Sequence, residues 1–148
     1  PEIANLFHEF QKNGIEVYIV SASLEDIVKV FASDKSYGYN LKPENVYGMR
    51  LEMNKDKYLS QYKKGYPQTQ TKGKVETINK FLKPKHGGKD PILVAGDSGG
   101  DENMLTEYKG TKVLLLMKRK GKLDDVAKDK RALIQRRNEQ TGLLVPEN

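Results

Sequence analysis

The sequence contains no cysteine, only two histidines, and no apolar run as long as the roughly 20 residues that a membrane-spanning helix needs. Without cysteine the chain can form neither a disulfide nor a thiolate zinc site, and it has no cysteine nucleophile. Because His8 and His86 are its only histidines, a histidine metal cluster and a Ser–His–Asp triad are both disfavoured. These absences exclude several kinds of site and a membrane span within the sequence, but they do not identify a cellular compartment.

The composition is that of a globular chain. With 148 residues, of which 36% are hydrophobic and 31% are charged, it has the length of one domain and can bury a core. The net charge of +6 arises from 26 basic and 20 acidic residues. Acidic residues interleave with the basic ones, and the densest basic run, at 118–122, is followed at once by Asp124 and Asp125. We therefore expect a solvated, lysine-rich surface and no nucleic-acid partner.

Hydrophobic periodicity predicts a single α/β domain over residues 1–148. Short apolar or β-branched runs predict strands at 15–20, 45–53, 91–96 and 111–117, with a further short strand at 143–145. Apolar residues at helical spacing predict helices at 1–13, from Ser23 onward, and at 73–83, 101–108 and 122–132. A polar, tyrosine-rich excursion at about 54–71 has the character of a hairpin or flap. Because helices separate the strands, we expect parallel β/α units.

Ligands of open parallel sheets bind at the carboxyl ends of the strands, and the segment from Val94 to Leu105 carries the strongest signal there. Asp97 follows a predicted buried strand, two glycines allow a tight turn, and Asp101 opens the next helix. Hard oxygen ligands of this kind suit Mg²⁺, which keeps several of its waters. The structural alternative is that Asp97 begins a turn and Asp101 caps a helix.

Two further segments carry weaker signals. Ser21 ends the first predicted strand and Ser23 is the predicted cap of the following helix, with Asp26 three residues later. A hydroxyl together with amides at a helix start, such as that of Ala22, can hold a phosphate, although ordinary capping explains the same residues. In the run from Thr71 to Thr77, lysine at a helix start opposes the helix dipole unless it neutralises an anion. The alternative there is a solvated surface lysine.

Taken in order, the three segments resemble motifs two, three and four of the haloacid dehalogenase superfamily of phosphatases. The pattern is a strand ending in serine, then Gly-Lys at a helix, then a strand followed by Gly-Asp-x-x-x-Asp. The runs NGIEVYIVSAS and GDSGGDENML look most like the phosphoserine phosphatase and phosphorylcholine phosphatase branches. The resemblance covers residues 1–117 approximately.

The resemblance implies a Rossmann-like, three-layer fold with a mostly parallel sheet. It also implies a Mg²⁺-dependent phosphomonoesterase that acts through an aspartyl-phosphate on a small phosphorylated metabolite. By the same resemblance, Ser21 contacts the transferring phosphoryl group and Lys74, with Lys72 as the alternative, neutralises nucleophile and phosphate. Asp97 binds Mg²⁺ directly, and Asp101 supports the metal through water or hydrogen bonds.

The first motif of the superfamily, a strand ending in Asp-x-Asp that supplies the nucleophile, has no match in the sequence. We therefore expect the nucleophile, the central strand and any cap to belong to a missing N-terminal segment of the same protein, and the fragment alone to be inactive. The rival hypothesis is a non-catalytic phosphate- or nucleotide-binding α/β module. Tyr58, Tyr62 and Tyr66 form either an aromatic face for a choline-like cation or part of a mobile surface loop.

Overall fold

The computed structural model describes residues 2–118, 121–138 and 140–145. The chain forms two compact units, Pro1–Thr69 and Gln70–Asn148. The single domain expected for residues 1–148 stays a prediction. Within the described ranges, no helix is both long enough and apolar enough to cross a membrane.

The first unit contains two helices, a parallel strand pair and an antiparallel hairpin. Its elements are α1 (Glu2–Lys12), β1 (Ile19–Leu24), α2 (Glu25–Ser33), β2 (Val46–Met49), β3 (Leu51–Asn54) and β4 (Lys57–Tyr62). Strand β1 pairs in parallel with β2, and β3 pairs with β4 as the hairpin. A small apolar core of Ala32, Leu41 and Val46 fills this unit, with four flanking side chains packed on it: Phe7, Val17, Ile19 and Val28.

The second unit is built on a four-stranded sheet. Its elements are α3 (Lys72–Thr77), β5 (Leu93–Gly96), α4 (Glu102–Glu107), β6 (Val113–Lys118), β7 (Ala132–Arg137) and β8 (Leu144–Val145). The strand order is β5-β6-β7-β8, in which the first three strands are parallel and β8 is antiparallel. Leu105, Leu114 and Leu116 are fully buried in its core.

The α/β class and the parallel strand pairing confirm the expectation drawn from the apolar runs. The predicted strands 91–96 and 111–117 correspond to β5 and β6, whose Val94, Leu114 and Leu116 are buried. The predicted helix 73–83 is also present, as α3 followed by a π-helical turn at Ile78–Leu82. The helical path continues beyond the predicted end at residue 83, because a 3-10 turn over Lys83–His86 follows and ends at Gly87, whose φ is +62°.

The predicted boundary after the first strand is wrong. Strand β1 starts at Ile19 rather than at residue 15 and runs on to Leu24. Helix α2 therefore starts at Glu25, and its N-cap residue Leu24 provides no side-chain hydrogen bond. Ser23 is consequently not a helix cap, and its predicted partnership with Asp26 is wrong. The physical reason is that Gly48, Arg50 and Tyr66 bind the Glu25 carboxylate and fix its position. The helix therefore starts at Glu25.

Three further differences concern the middle and the end of the chain. The predicted strand 45–53 is divided at Arg50 into β2 and β3, and the excursion after it contains β4, so the hairpin interpretation is confirmed. The predicted helix 122–132 is wrong: only a 3-10 turn at Val126–Lys128 forms, and Leu123 has a φ of +54°. Strand β7, which pairs in parallel with β6, was not predicted. Residues 119 and 120 of the basic run lie outside the described residues.

Candidate active site

A buried ion pair joins two of the predicted site residues in the second unit. The Lys74 Nζ donates a hydrogen bond to Asp101 Oδ1 over 2.8 Å, although 27 residues separate them in sequence. Each side chain is only 9% exposed. Burying two charges is costly unless they are paired and hydrogen-bonded, so the chain holds this pair in a defined geometry. Lys72, the alternative lysine, is exposed, and this difference favours Lys74.

The second carboxylate oxygen of Asp101 organises the turn that carries Asp97. Asp101 Oδ2 accepts hydrogen bonds from the backbone amides of Asp97, at 3.0 Å, and Ser98, at 3.2 Å. It also accepts one from the Ser98 hydroxyl at 3.3 Å. Ser98 and Asp101 thus form a reciprocal capping box at the start of a 3-10 turn that leads into α4. Helix capping, the structural alternative for Asp101, is therefore present together with the ion pair.

This turn has room for no side chain at Gly96, whereas Gly99 and Gly100 are not under that restriction. A Cβ on Gly96 would lie 2.6 Å from the Asp101 Cβ, a distance at which something must shift. Gly99 has open space around it, and neither Gly99 nor Gly100 has a positive φ. The sequence interpretation that the Gly99-Gly100 pair permits the turn is therefore wrong. What the turn requires is close approach of the Asp101 side chain to the end of β5.

The loop before α3 is attached to the same turn. The Thr71 amide donates to the Gly100 carbonyl oxygen over 3.1 Å. Thr71 has a φ of +47° and a ψ of −121°, an uncommon and strained conformation for a β-branched residue. Together with the Lys74–Asp101 pair, this bond gives two links between residues 71–74 and 97–101. The segment bearing the lysine and the segment bearing the aspartates thus form one assembly.

The electrostatics of the assembly keep Asp101 ionised. Burial alone would raise the pKa of the Asp101 carboxyl, but the hydrogen bond and positive charge of Lys74 and the amides of Asp97 and Ser98 lower it overall. Both carboxylate oxygens of Asp101 are engaged by these donors. Asp101 is therefore suited to support a metal ligand rather than to bind a metal itself.

The donor set fits Mg²⁺ in one specific way. Mg²⁺ is commonly held by one or two carboxylates, with waters and substrate phosphate completing its octahedron. Asp97, half-buried directly after β5, offers one such carboxylate on a turn that Asp101 fixes. Within residues 2–118, 121–138 and 140–145, no cluster of three or more acidic, histidine or cysteine side chains could hold a metal. The residues present thus fit a site with a single direct carboxylate, completed by groups from elsewhere.

In the first unit, Ser21 lies within β1 and not at its end. The pairing of β1 with β2 runs from Val20 opposite Tyr47 to Leu24 opposite Met49. Three residues of β1, Ser21, Ala22 and Ser23, therefore lie opposite the single residue Gly48 of β2 and form a bulge. The Ser21 hydroxyl oxygen accepts the Ser23 amide over 3.1 Å, and the Ser21 carbonyl oxygen accepts the Thr69 hydroxyl over 2.5 Å.

A buried carboxylate follows this bulge. Glu25 is 3% exposed, and its side chain accepts hydrogen bonds from five groups on four residues: Lys29 Nζ at 2.6 Å, Gly48 N at 3.1 Å, Arg50 Nε at 3.0 Å, Arg50 Nη2 at 2.9 Å and Tyr66 Oη at 2.9 Å. Burial would raise the pKa of the Glu25 carboxyl, but hydrogen bonds, chiefly those from Arg50 and Lys29, lower this pKa overall. Burial and the bond to Glu25 raise the pKa of the Tyr66 hydroxyl.

The tyrosines of the excursion have different surroundings. The Arg50 guanidinium lies over the Tyr66 ring, 4.2 Å from its centre, so this ring face already has a cation. Tyr58 is exposed on β4 and its hydroxyl donates to Asp26, and Tyr62 is also exposed. Tyr66 is therefore part of the Glu25 cluster, which makes it unsuitable as one wall of a cage for a choline-like cation.

Sequence reasoning brought out Lys74, Asp97 and Asp101, which the second unit assembles. It also brought out Ser21 and Ala22, which lie in the bulge of the first unit. It missed Thr69, Glu25, Arg50 and Tyr66, whose partners are 23 to 48 residues away along the chain. One available signal was Glu25 itself, an acidic residue two positions after Ser23.

The fold belongs to the α/β class with parallel strands. No family model matches the chain. Over 44 residues, which make up 30% of this chain and 13% of the relative, it is 52% identical to the phosphorylcholine phosphatase of Pseudomonas aeruginosa.

Two solved structures extend the comparison to the fold. A conserved protein of unknown function from Anaerococcus prevotii matches 99% of this chain and 40% of its own, with a TM-score of 0.92 and 38% identity. A phosphoserine phosphohydrolase-like protein from Francisella tularensis matches 77% of this chain and 48% of its own, with a TM-score of 0.57 and 19% identity. The matched part is less than half the length of each of these relatives.

Proposed function

We propose that this chain is part of a Mg²⁺-dependent phosphomonoesterase of the haloacid dehalogenase type, which acts through an aspartyl-phosphate on a small phosphorylated metabolite. The observation that carries the proposal is the buried Lys74–Asp101 pair. It joins the lysine of one predicted motif to the aspartate of another, and through Asp101 Oδ2 to the backbone of Asp97. Phosphoryl transfer requires fixed positive charge, and the buried lysine supplies such a charge beside the predicted metal-binding turn.

The roles of the residues follow from their chemistry. The Lys74 ammonium would neutralise the nucleophile and an oxygen of the phosphoryl group while Asp101 fixes its position. By the resemblance, the Ser21 hydroxyl and the Ala22 amide would donate hydrogen bonds to phosphate. The Asp97 carboxylate would hold Mg²⁺, whose charge stabilises the oxygens of the transferring group when it is bound.

The nucleophile is assigned to a segment of the parent protein outside these 148 residues. In the superfamily that this chain resembles, the nucleophilic aspartate ends the central strand of the sheet. The relatives with longer chains support this assignment, since 99% of this chain matches only 40% of the Anaerococcus protein. We therefore expect the fragment alone to show no turnover, and the intact parent to be the enzyme.

The test uses the intact parent, assayed with a panel of phosphomonoesters at several Mg²⁺ concentrations. We expect Mg²⁺-dependent release of phosphate, and we expect Asp97→Asn to lower kcat by at least about 100-fold and weaken the response to Mg²⁺. Asp124→Asn serves as the control, because Asp124 is an exposed carboxylate that follows the basic run. A parent with no phosphatase activity that still binds phosphate would favour the non-catalytic binding module. An unchanged Mg²⁺ response in Asp97→Asn would remove Asp97 from the metal site.

A further inference from the structure

We propose that Thr69, Tyr66 and Glu25 form a clamp that fixes the peptide between Ser21 and Ala22, and thereby orients the groups that bind phosphate. The inference rests on the proposed function and extends it to positioning residues outside the three motifs. All of these residues lie in the first unit.

The clamp is needed because regular sheet bonding does not hold this segment. Between the paired residues Val20 and Leu24, β1 has two residues more than β2, so the bulge lies outside the ladder. Extra residues of this kind are left unpaired by the sheet and take their conformation from other bonds. The conformation of residues 21–23 thus depends on the local bond from the Ser23 amide to the Ser21 hydroxyl oxygen and on side chains that reach the bulge from elsewhere.

Thr69 supplies the first of these bonds. It is 0% exposed, and its hydroxyl donates to the Ser21 carbonyl oxygen from 48 residues away in sequence. Because the Thr69 side chain is buried, loss of this bond would leave a polar group poorly compensated by solvent. A trans peptide is planar, so a carbonyl held toward Thr69 turns the Ala22 amide to the opposite side. Thr69 therefore sets the direction in which the predicted phosphate-binding amide points.

Glu25 and Tyr66 hold the other end of the bulge. The Glu25 carboxylate accepts the Gly48 amide of β2 and the Tyr66 hydroxyl. A Cβ on Gly48 would lie 2.5 Å from the Glu25 Cα, so the two backbones are in direct contact. Tyr66 and Thr69 both lie on the chain that returns from the β3–β4 hairpin. One return segment thus contacts Ser21, at the start of the bulge, through Thr69, and Glu25, two residues beyond the bulge, through Tyr66.

The test replaces Thr69 in the intact parent. Thr69→Val keeps the branched shape and removes the donor, and Thr69→Ser restores the hydroxyl. Thr106→Val is the matched control, because that hydroxyl bonds to carbonyl oxygens of its own helix. For Thr69→Val we expect the inhibition constant of inorganic phosphate to rise about tenfold and kcat/KM to fall by a similar factor. Thr69→Ser should recover most of both, and Thr106→Val should change neither.

A second measurement reads the segment directly, by amide hydrogen exchange of the peptide that covers residues 18–25. Thr69→Val should accelerate exchange of the bulge amides about tenfold, and Thr106→Val should not. Unchanged phosphate inhibition together with unchanged exchange would overturn the clamp, as would a loss of activity that the serine variant fails to rescue. An inactive wild-type parent would overturn the proposed function instead, and the exchange experiment would still decide whether Thr69 fixes the bulge.

Discussion

Replacing Asp101 by asparagine tests whether the buried ion pair organises the second unit. The two carboxylate oxygens accept from donors on opposite sides, the Lys74 ammonium on one and the amides of Asp97 and Ser98 on the other. An asparagine has only one acceptor oxygen, so its NH₂ group must face donors on one of the two sides. Removing one partner of a buried pair typically costs about 3–5 kcal/mol. We expect a loss of at least about 3 kcal/mol in Asp101→Asn, since both side chains are only 9% exposed.

The assay is native-state hydrogen exchange of the intact parent, read on peptides from β5 and β6. A loss of 3 kcal/mol corresponds to roughly 100-fold faster exchange through global opening of this unit. Asp125→Asn is the control, because its pair with Lys128 is exposed on both sides and surface pairs contribute little. The double variant Lys74→Met/Asp101→Asn removes both charges and leaves the asparagine oxygen to accept from the amides of Asp97 and Ser98, so it should be less destabilised than Asp101→Asn. If Asp101→Asn changed exchange no more than Asp125→Asn, the pair would not organise the turn.

The same pair predicts a pH dependence. Its surroundings lower the pKa of the Asp101 carboxyl in the folded protein. The stabilisation is therefore complete above the pKa of the unfolded chain, and it is lost as pH falls through the lower, folded value. Asp101→Asn should abolish this part of the acid dependence of stability, whereas a curve that keeps its full slope in the variant would contradict the assignment.

Two further substitutions test the site and the strand contact. Lys74→Met in the parent should lower kcat by at least about 100-fold, because a fixed charge beside the phosphoryl group is lost. The control Lys72→Met, at an exposed position, should keep kcat within about twofold of wild type. Equal losses of kcat in the two variants would show that Lys74 has no special role. Gly48→Ala should destabilise the first unit by about 1–3 kcal/mol, since the added methyl would meet the Glu25 backbone at 2.5 Å. Gly99→Ala has open space and should be close to neutral in thermal unfolding, and similar melting temperatures for both variants would refute the packing argument.

The sequence predicted secondary structure correctly where the local pattern agrees with the tertiary packing. The apolar runs that form β5 and β6 are buried strands because their side chains pack into the core of the sheet, as their composition predicts. The resemblance assigned Lys74 and Asp101 separate roles in one phosphoryl site, but their direct contact was not predicted. For β5 and β6, residues close together in sequence carry the signal, whereas Lys74 and Asp101 are 27 residues apart.

The sequence was insufficient where a distant partner decides the local structure. Ser23 and Asp26 have the spacing of a capping box, but Glu25 is bound by Gly48, Arg50 and Tyr66 and sets the helix start. No local rule reveals that competition. Strand β7 was missed for a similar reason, because its parallel pairing with β6 depends on long-range contacts and its own composition is mixed.

The β3–β4 hairpin is a suitable position for attaching a label to the protein. Residues 53–65 are exposed throughout, and the chain becomes buried again only where it returns toward Thr69. Exposed loop tips are the sites at which inserted peptides are best tolerated. An epitope tag or a fluorophore-bearing cysteine placed in the Lys55–Asp56 turn would thus be displayed to solvent. Because the chain has no native cysteine, a single introduced thiol there would be labelled without competition from the rest of these 148 residues.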